Sequence, residues 1–308
     1  MPSDGARVSV VIPAYNAAAF LDSTLASVLS QTRTPDEIVV VDDGSTDATL
    51  AVVEQYAKEL PDLIRVVSQE NLGPAAARNA GIRAASGPLV AILDHDDAWR
   101  PEKLEQQLRL FDDPKVEFTA TGYTYSVNGG PPVPTLIFGW EDQAPAVLHR
   151  LLLSNVILTS TVVATRALLT RVGMFDERIW WGDEYDLWLR IGASGARMAY
   201  LPQALTEYSR GAKNLSTRFY NEGLDPYVAA MEARFQAEDL PPSIQRRRRW
   251  YMAHRHMNNA CRYLADGHPE AALASILRAF VERPLSARAG WIVIAARAIR
   301  GCMARRRG

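Results

Sequence analysis

The apolar residues of the first hundred positions fall into two alternating rhythms. Val8–Ile12 is a mainly β-branched run closed by Pro13, the pattern of a strand buried on both faces. Phe20, Leu21, Thr24, Leu25, Val28 and Leu29 then recur at helical spacing until Pro35 stops that helix. Ile38–Val41 is a second strand running into Asp42, Asp43, Gly44 and Ser45, and a helix follows with Thr46 or Asp47 as its N-cap. Ile64–Val67 reads as a third strand. Gly73 and Pro74 open a helix over Ala75–Ala85, since proline suits the first helical turn. Leu89–Leu93 is a fourth strand that ends in Asp94, His95, Asp96 and Asp97. Pro101 starts a helix whose Leu104, Leu108 and Phe111 share one face.

Strands alternating with helices at this spacing predict a parallel α/β sheet covered on both faces. Ligands of such sheets bind beyond the carboxyl ends of the strands. The acidic turns after Val41 and Leu93 both lie at those ends, so they are expected to share one cleft. Residues 116–225 mix strand-like and helical pieces with many aromatics, and Gly129–Pro132 reads as a loop. From 226 to 308 the chain is helical in character.

Composition adds a charge asymmetry. The formal net charge is −1, yet residues 241–308 carry 14 arginines, no lysine, and only Asp266, Glu270 and Glu282 as acids. An acidic body with a basic tail implies an anionic partner for the tail, either membrane or protein. Trp291, Ile292, Ile294, Ala295 and Ile299 mixed with Arg288, Arg297, Arg300 and Arg305–Arg307 suit a helix lying on anionic lipid. They equally suit a helix packed on the catalytic domain with solvated arginines. No recognition module precedes the arginines, and nucleic-acid binding is not expected. Two cysteines, Cys261 and Cys302, make no disulfide framework and fit a reducing compartment. With no secretory signal and no apolar run near the roughly 20 residues of a membrane span, the expected location is cytoplasmic, with peripheral contact at the cytoplasmic membrane face.

The sharpest chemistry is Asp94-His95-Asp96-Asp97. Carboxylates at the end of a buried strand need partners, and a hard dication such as Mg²⁺ or Mn²⁺ is the usual one for such oxygens. A plain turn before Pro101 is the competing reading. Asp42-Asp43-Gly44-Ser45 is a second acidic turn whose carboxylate could accept from the imide of uracil or thymine, or from a ribose hydroxyl; alone it is first of all turn chemistry. Arg78, on the helix after Pro74, could reach a base or phosphate.

These motifs, taken in order, carry a resemblance. Val8–Asn16, Leu29-Ser30-Gln31-Thr32, Glu37–Asp47, Asn71-Leu72-Gly73 with Ala77-Arg78-Asn79, Leu93–Asp97, Gly173–Glu177 and Asp183–Arg190 together resemble family 2 glycosyltransferases of the GT-A fold. The resemblance covers roughly residues 7–215. It implies a GT-A catalytic domain over 1–225, with nucleotide-sugar binding in about 1–115 and acceptor binding in about 116–225, followed by the basic helical extension over 226–308. It implies a mostly parallel central sheet with helices on both faces.

The resemblance further implies that Pro13, Tyr15, Asp43, Arg78 and Asp94 bind the nucleotide, with Asp43 towards the base. Asp94 and Asp96 match the D-x-D pair, and Asp96 is the expected direct metal ligand. Relatives commonly carry Glu-Asp where this chain has Asp183-Glu184, so Glu184 stands in the usual place of the general base, with Asp183 as the alternative. Trp180 and Trp181 are candidates to stack on an acceptor sugar, or else to pack in the core. Tyr208–Ser216 occupies the place of a diphosphate-closing loop, with Arg210 and Lys213 as its cations. The implied activity is inverting transfer from a UDP- or dTDP-sugar to a hydroxyl of a glycan or lipid-linked acceptor, in cell-envelope or other glycan synthesis. A nucleotidyltransferase would need a glycine-rich basic loop where Pro13-Ala14-Tyr15-Asn16-Ala17 stands, and a non-catalytic scaffold of the same fold would lack the carboxylates kept here.

Overall fold

The computed structural model describes residues 7–127, 133–135, 146–180, 182–210, 226–265, 267–283 and 296. The chain divides into two units, Met1–Val147 with Val156–Thr217 and Leu148–Asn155 with Arg218–Gly308.

The first unit is built on a sheet of nine strands among the described residues. These are β1 (Val8–Ala14), β2 (Glu37–Asp42), β3 (Ile64–Ser68), β4 (Leu89–Ile92), β5 (Ala98–Trp99), β6 (Val116–Val127), β7 (Val133–Thr135), β8 (Val163–Thr165) and β9 (Arg197–Arg210). Their order is β3-β2-β1-β4-β8-β6-β9-β5, with β7 beside β6. The strands from β3 to β4 are all parallel. Beyond β4 the sheet is mixed: β8 enters antiparallel to both β4 and β6, β6 and β9 run parallel, and β5 pairs antiparallel with β9.

The helices of this unit are α1 (Leu21–Leu29), α2 (Thr49–Glu59), α3 (Pro74–Ala84), α4 (Lys103–Leu108), α6 (Arg166–Arg171) and α7 (Asp183–Ala193), while α5 (Ala146–Leu153) crosses from this unit into the second. Pleating sends alternate side chains of β1 to opposite faces. Val8, Val10 and Ile12 pack with Leu21, Leu25 and Val28 of α1 and Val53 of α2 in one buried core. Val11 lies on the other face, under α3. There a Cβ on Gly81 would fall 2.3 Å from the Val11 side chain, so only glycine allows α3 to approach this closely. Helices therefore cover both faces of the parallel half.

Three local expectations shift. The second helix begins at Thr49 after Ala48 rather than after a Thr46 or Asp47 N-cap; Asp47 instead accepts the Thr49 N–H at 2.9 Å, closing a short turn ahead of the helix. The helix expected from Pro101 starts at Lys103 and gives way to a 3₁₀ turn at Arg109–Asp112, which carries Phe111. Strand β5, only two residues long, was not visible in the pattern.

In the second unit α8 (Pro226–Gln236), α9 (Pro242–Gln245), α10 (Arg248–Ala265) and α11 (Pro269–Glu282) are joined by Leu148–Leu153 of α5. Met257, Ala260 and Tyr263 of α10 pack on Ala272, Ile276 and Ala279 of α11. His149 shares a hydrogen bond with the Tyr251 hydroxyl and stacks on Trp250. No helix of the described residues is long and apolar enough to cross a membrane. The tail expected at the membrane and the Gly129–Pro132 loop lie outside the described residues, Ala296 excepted.

Candidate active site

Parallel pairing places Asp42 level with Ala14, so the chain exits β1 and β2 side by side. The next residue, Asp43, donates its N–H to the Ala14 carbonyl at 2.9 Å. Its carboxylate is 3% exposed and already holds a loop together. Oδ1 accepts from Gln69 Nε2 at 2.7 Å and Leu72 N–H at 3.0 Å, and Oδ2 from Gly73 N–H at 2.9 Å. A carboxylate has about four acceptor sites, so one remains after these three bonds. Gly44 sits at φ +72, where a Cβ would meet the Asn71 nitrogen at 2.7 Å; the turn requires glycine. Its neighbour Asp42 is also buried, and its Oδ1 has no hydrogen-bond partner among the described residues. Tyr15 is exposed just beyond β1. Pro13 is buried, and its carbonyl lies 3.1 Å from His95 Nδ1, which ties the first strand end to the second acidic turn.

That second turn, Asp94–Asp97, is gripped from several elements. The Thr24 hydroxyl of α1 donates to the carbonyls of His95 and Asp97 at 2.7 and 2.9 Å. Asp97 is buried; Oδ2 accepts the Ser160 hydroxyl, and Oδ1 accepts the Ser209 N–H of β9 at 3.1 Å. Asp94 and Asp96 are half-buried. Burial lifts the Asp96 carboxyl above its usual range, with the Asp94 charge adding to the effect and His95 opposing it. Burial, then the charges of Asp96 and Asp94, raises Asp97 well above its usual range. Acids crowded this way raise one another's pKa, an effect that a positive charge beside them opposes.

Arg78 supplies part of the compensation. It is 8% exposed, with one terminal nitrogen 2.8 Å from Asp94 Oδ1 and the other 2.7 Å from Asp183 Oδ2. Burial opposes its charge, and the two carboxylates more than restore it. Arg78, the arginine expected to meet a base or phosphate, thereby joins the D-x-D turn to the N-terminus of α7. Asp183 is buried, its oxygen engaged by Arg78. Burial raises its pKa although Arg78 opposes this. Glu184, next along the first turn of α7, is half-buried. Burial and the adjacent Asp183 charge push its carboxyl up to about 8, a value suited to taking up a proton near neutral pH.

Trp180 is 57% exposed, and its ring lies over Gly73, 3.6 Å from where a Cβ would stand. It therefore joins the loop held by Asp43 to the segment leading into α7, rather than packing in the core. Trp181 and Lys213 lie outside the described residues, and Arg210 is described only as the last residue of β9. Sequence reasoning missed Ser160 and Gln69, and it set Ser209 in a diphosphate-closing loop rather than against Asp97. Nothing local marks them, because each acts on a residue at least 26 positions away.

The donor set fits a hard divalent ion. Asp94 and Asp96 offer carboxylate oxygens in a turn whose charge is only partly compensated by Arg78. Among the described residues no three His, Cys, Asp or Glu side chains converge to cage a metal ion. Two protein oxygens with positions left for phosphate oxygens suit Mg²⁺ or Mn²⁺.

Comparison with known proteins bears on the fold and the family. A glycosyltransferase of Bacillus subtilis (strain 168), provisionally named for teichuronic acid biosynthesis, is 34% identical over 202 residues, 65% of this chain and 78% of that protein. A succinoglycan biosynthesis protein of Rhizobium meliloti (strain 1021) is 31% identical over 255 residues, 78% of this chain and 72% of that one. Several further relatives are longer, and the matches span between 26% and 58% of their length. Among solved structures, S. aureus TarS 1-349 in complex with UDP-GlcNAc superposes with a TM-score of 0.67 at 22% identity, over 96% of this chain and 89% of that one. A mannosyltransferase of Pyrobaculum calidifontis in complex with GDP-Man and Mn²⁺ gives 0.66 at 20% identity, over 98% and 87%. Both likenesses concern the fold, which is GT-A. The family model for glycosyl transferase family 2 matches residues 9–170, more than half of the chain, and the chain belongs to that family.

Proposed function

We propose that this chain is an inverting, metal-dependent glycosyltransferase that moves a sugar from a pyrimidine nucleoside diphosphate to an acceptor hydroxyl of a cell-envelope glycan or its lipid-linked precursor. The relatives named for teichuronic acid and succinoglycan synthesis support the acceptor class. Asp43, with one acceptor site left after its three protein bonds, suits the imide of uracil or thymine. Asp94 and Asp96 would hold Mn²⁺ or Mg²⁺, which when bound neutralises charge on the departing diphosphate. Arg78 orients Asp94 and fixes Asp183 at the same time.

The observation that carries the reading is the division of labour between adjacent acids. Asp183 is committed to Arg78, so Glu184, with its carboxyl raised to about 8, takes the proton of the attacking hydroxyl. The hydroxyl oxygen bonds to the anomeric carbon as the bond to the diphosphate breaks. No covalent sugar–protein intermediate forms. Incubating the chain with UDP-, dTDP- and GDP-sugars and Mn²⁺ while following nucleoside diphosphate release tests this. Turnover of a pyrimidine donor that Glu184→Gln abolishes supports it; release unaffected by Glu184→Gln, or none from any donor, refutes it.

A further inference from the structure

We propose that Ser160 is a positioning residue for the donor site, a reading that rests on the metal role of Asp94 and Asp96 given above. Ser160 lies in a 3₁₀ turn, Thr159–Thr161, just ahead of β8, and is 0% exposed. Its hydroxyl is bonded at both ends of the acidic turn. Oγ accepts the Asp94 N–H at 3.1 Å and donates to Asp97 Oδ2. One hydroxyl thus closes the four-residue turn on itself, fixing the backbone that carries Asp94 and Asp96.

Ser160 is itself anchored through its main-chain carbonyl. Its carbonyl accepts the Trp99 indole N–H at 2.7 Å and the Thr206 hydroxyl at 3.3 Å, bringing β5 and β9 to bear on it. Through Asp97 the same link reaches the Ser209 N–H, one residue from the end of β9. The Ser160 hydroxyl bonds to the first and last residues of the carboxylate turn. Replacing it strands a buried N–H and a buried carboxylate oxygen at once, and the turn must relax to find other partners. Residues that orient metal ligands in this way typically contribute about 10–100-fold in metal affinity.

The test is calorimetric titration of Mn²⁺-dependent binding of whichever of UDP, dTDP and GDP the full-length wild type binds most tightly. Ser160→Ala and Asp97→Asn are each expected to need about 10–100-fold more Mn²⁺ for half-saturation. The double variant should be no worse than the worse single one, because both break the same link. The metal-free thermal midpoint separates this from a general loss of fold. Unchanged Mn²⁺ half-saturation in Ser160→Ala, or losses that multiply in the double variant, would overturn the proposal. If Ser160→Ala does not fold, Asp97→Asn decides alone, and a wild-type Mn²⁺ requirement there overturns it. No metal-dependent nucleotide binding by the wild type itself would overturn the functional reading, and this one with it.

Discussion

The two acidic turns follow β2 and β4, which flank β1 in the parallel half of the sheet, yet they are built differently. The carboxylate of Asp43 is almost completed by the protein, with three N–H donors converging on it. The Asp94–Asp97 turn is locked in shape by Thr24, Ser160 and Ser209, and its Asp94 is paired with Arg78, which it shares with Asp183. The first turn spends its acid on holding a loop. The second keeps half-buried acids whose charges oppose one another. Similar acidic sequence at the end of a buried strand thus gives an acid nearly completed by protein donors in one place and a pair of half-buried acids in the other.

The largest effect that sharpens this contrast is loss of catalysis. Asp96→Ala is expected to lower transfer by about 10²–10³-fold or more, through lost stabilisation of the leaving diphosphate, while leaving the metal-free thermal midpoint unchanged or slightly raised. Initial rates and a melting curve on the same preparation check both halves.

Glu184→Gln should lower the rate by about 10²–10⁴-fold. Wild-type rate should climb as pH rises through about 8, as Glu184 ionises, and a cation bound nearby moves that limb to lower pH. Stability runs the other way. The ordinary carboxyl value is 4.5 and the folded one about 8, so the folded state holds its proton longer and loses stability as pH rises across that window. Melting curves should therefore show Glu184→Gln gaining on wild type between pH 4.5 and 8. A constant difference across that range would mean Glu184 is not held in its protonated form.

Asp43→Ala breaks the comparison from the other side. It leaves the Leu72 and Gly73 N–H groups without their acceptor and should cost about 2–4 kcal/mol, read from denaturant unfolding. If Asp43→Ala were neutral and Asp96→Ala destabilising, the roles assigned to the two turns would be reversed. Smallest is Gly44→Ala, expected at about 1–2 kcal/mol for forcing a side chain into the left-handed region against Asn71.

The parallel half was legible because its information is local. β-branched runs, proline stops and acidic turns are written within a few residues of where they act. The mixed half was not, since β6 and β9 recognise each other across some eighty residues, and two-residue β5 has no pattern of its own. Likewise the acids of the site could be named from sequence, but not which were occupied. Arg78 lies 105 residues from Asp183, and only the folded chain brings its guanidinium between that acid and Asp94.

The most direct test of the central claim is isothermal titration of UDP, dTDP, GDP and ADP, with and without Mn²⁺, on wild type and Asp96→Ala. The account predicts Mn²⁺-dependent binding of a pyrimidine nucleotide to the wild type and its loss in the variant. Equal binding by both proteins, or binding indifferent to Mn²⁺, would contradict it.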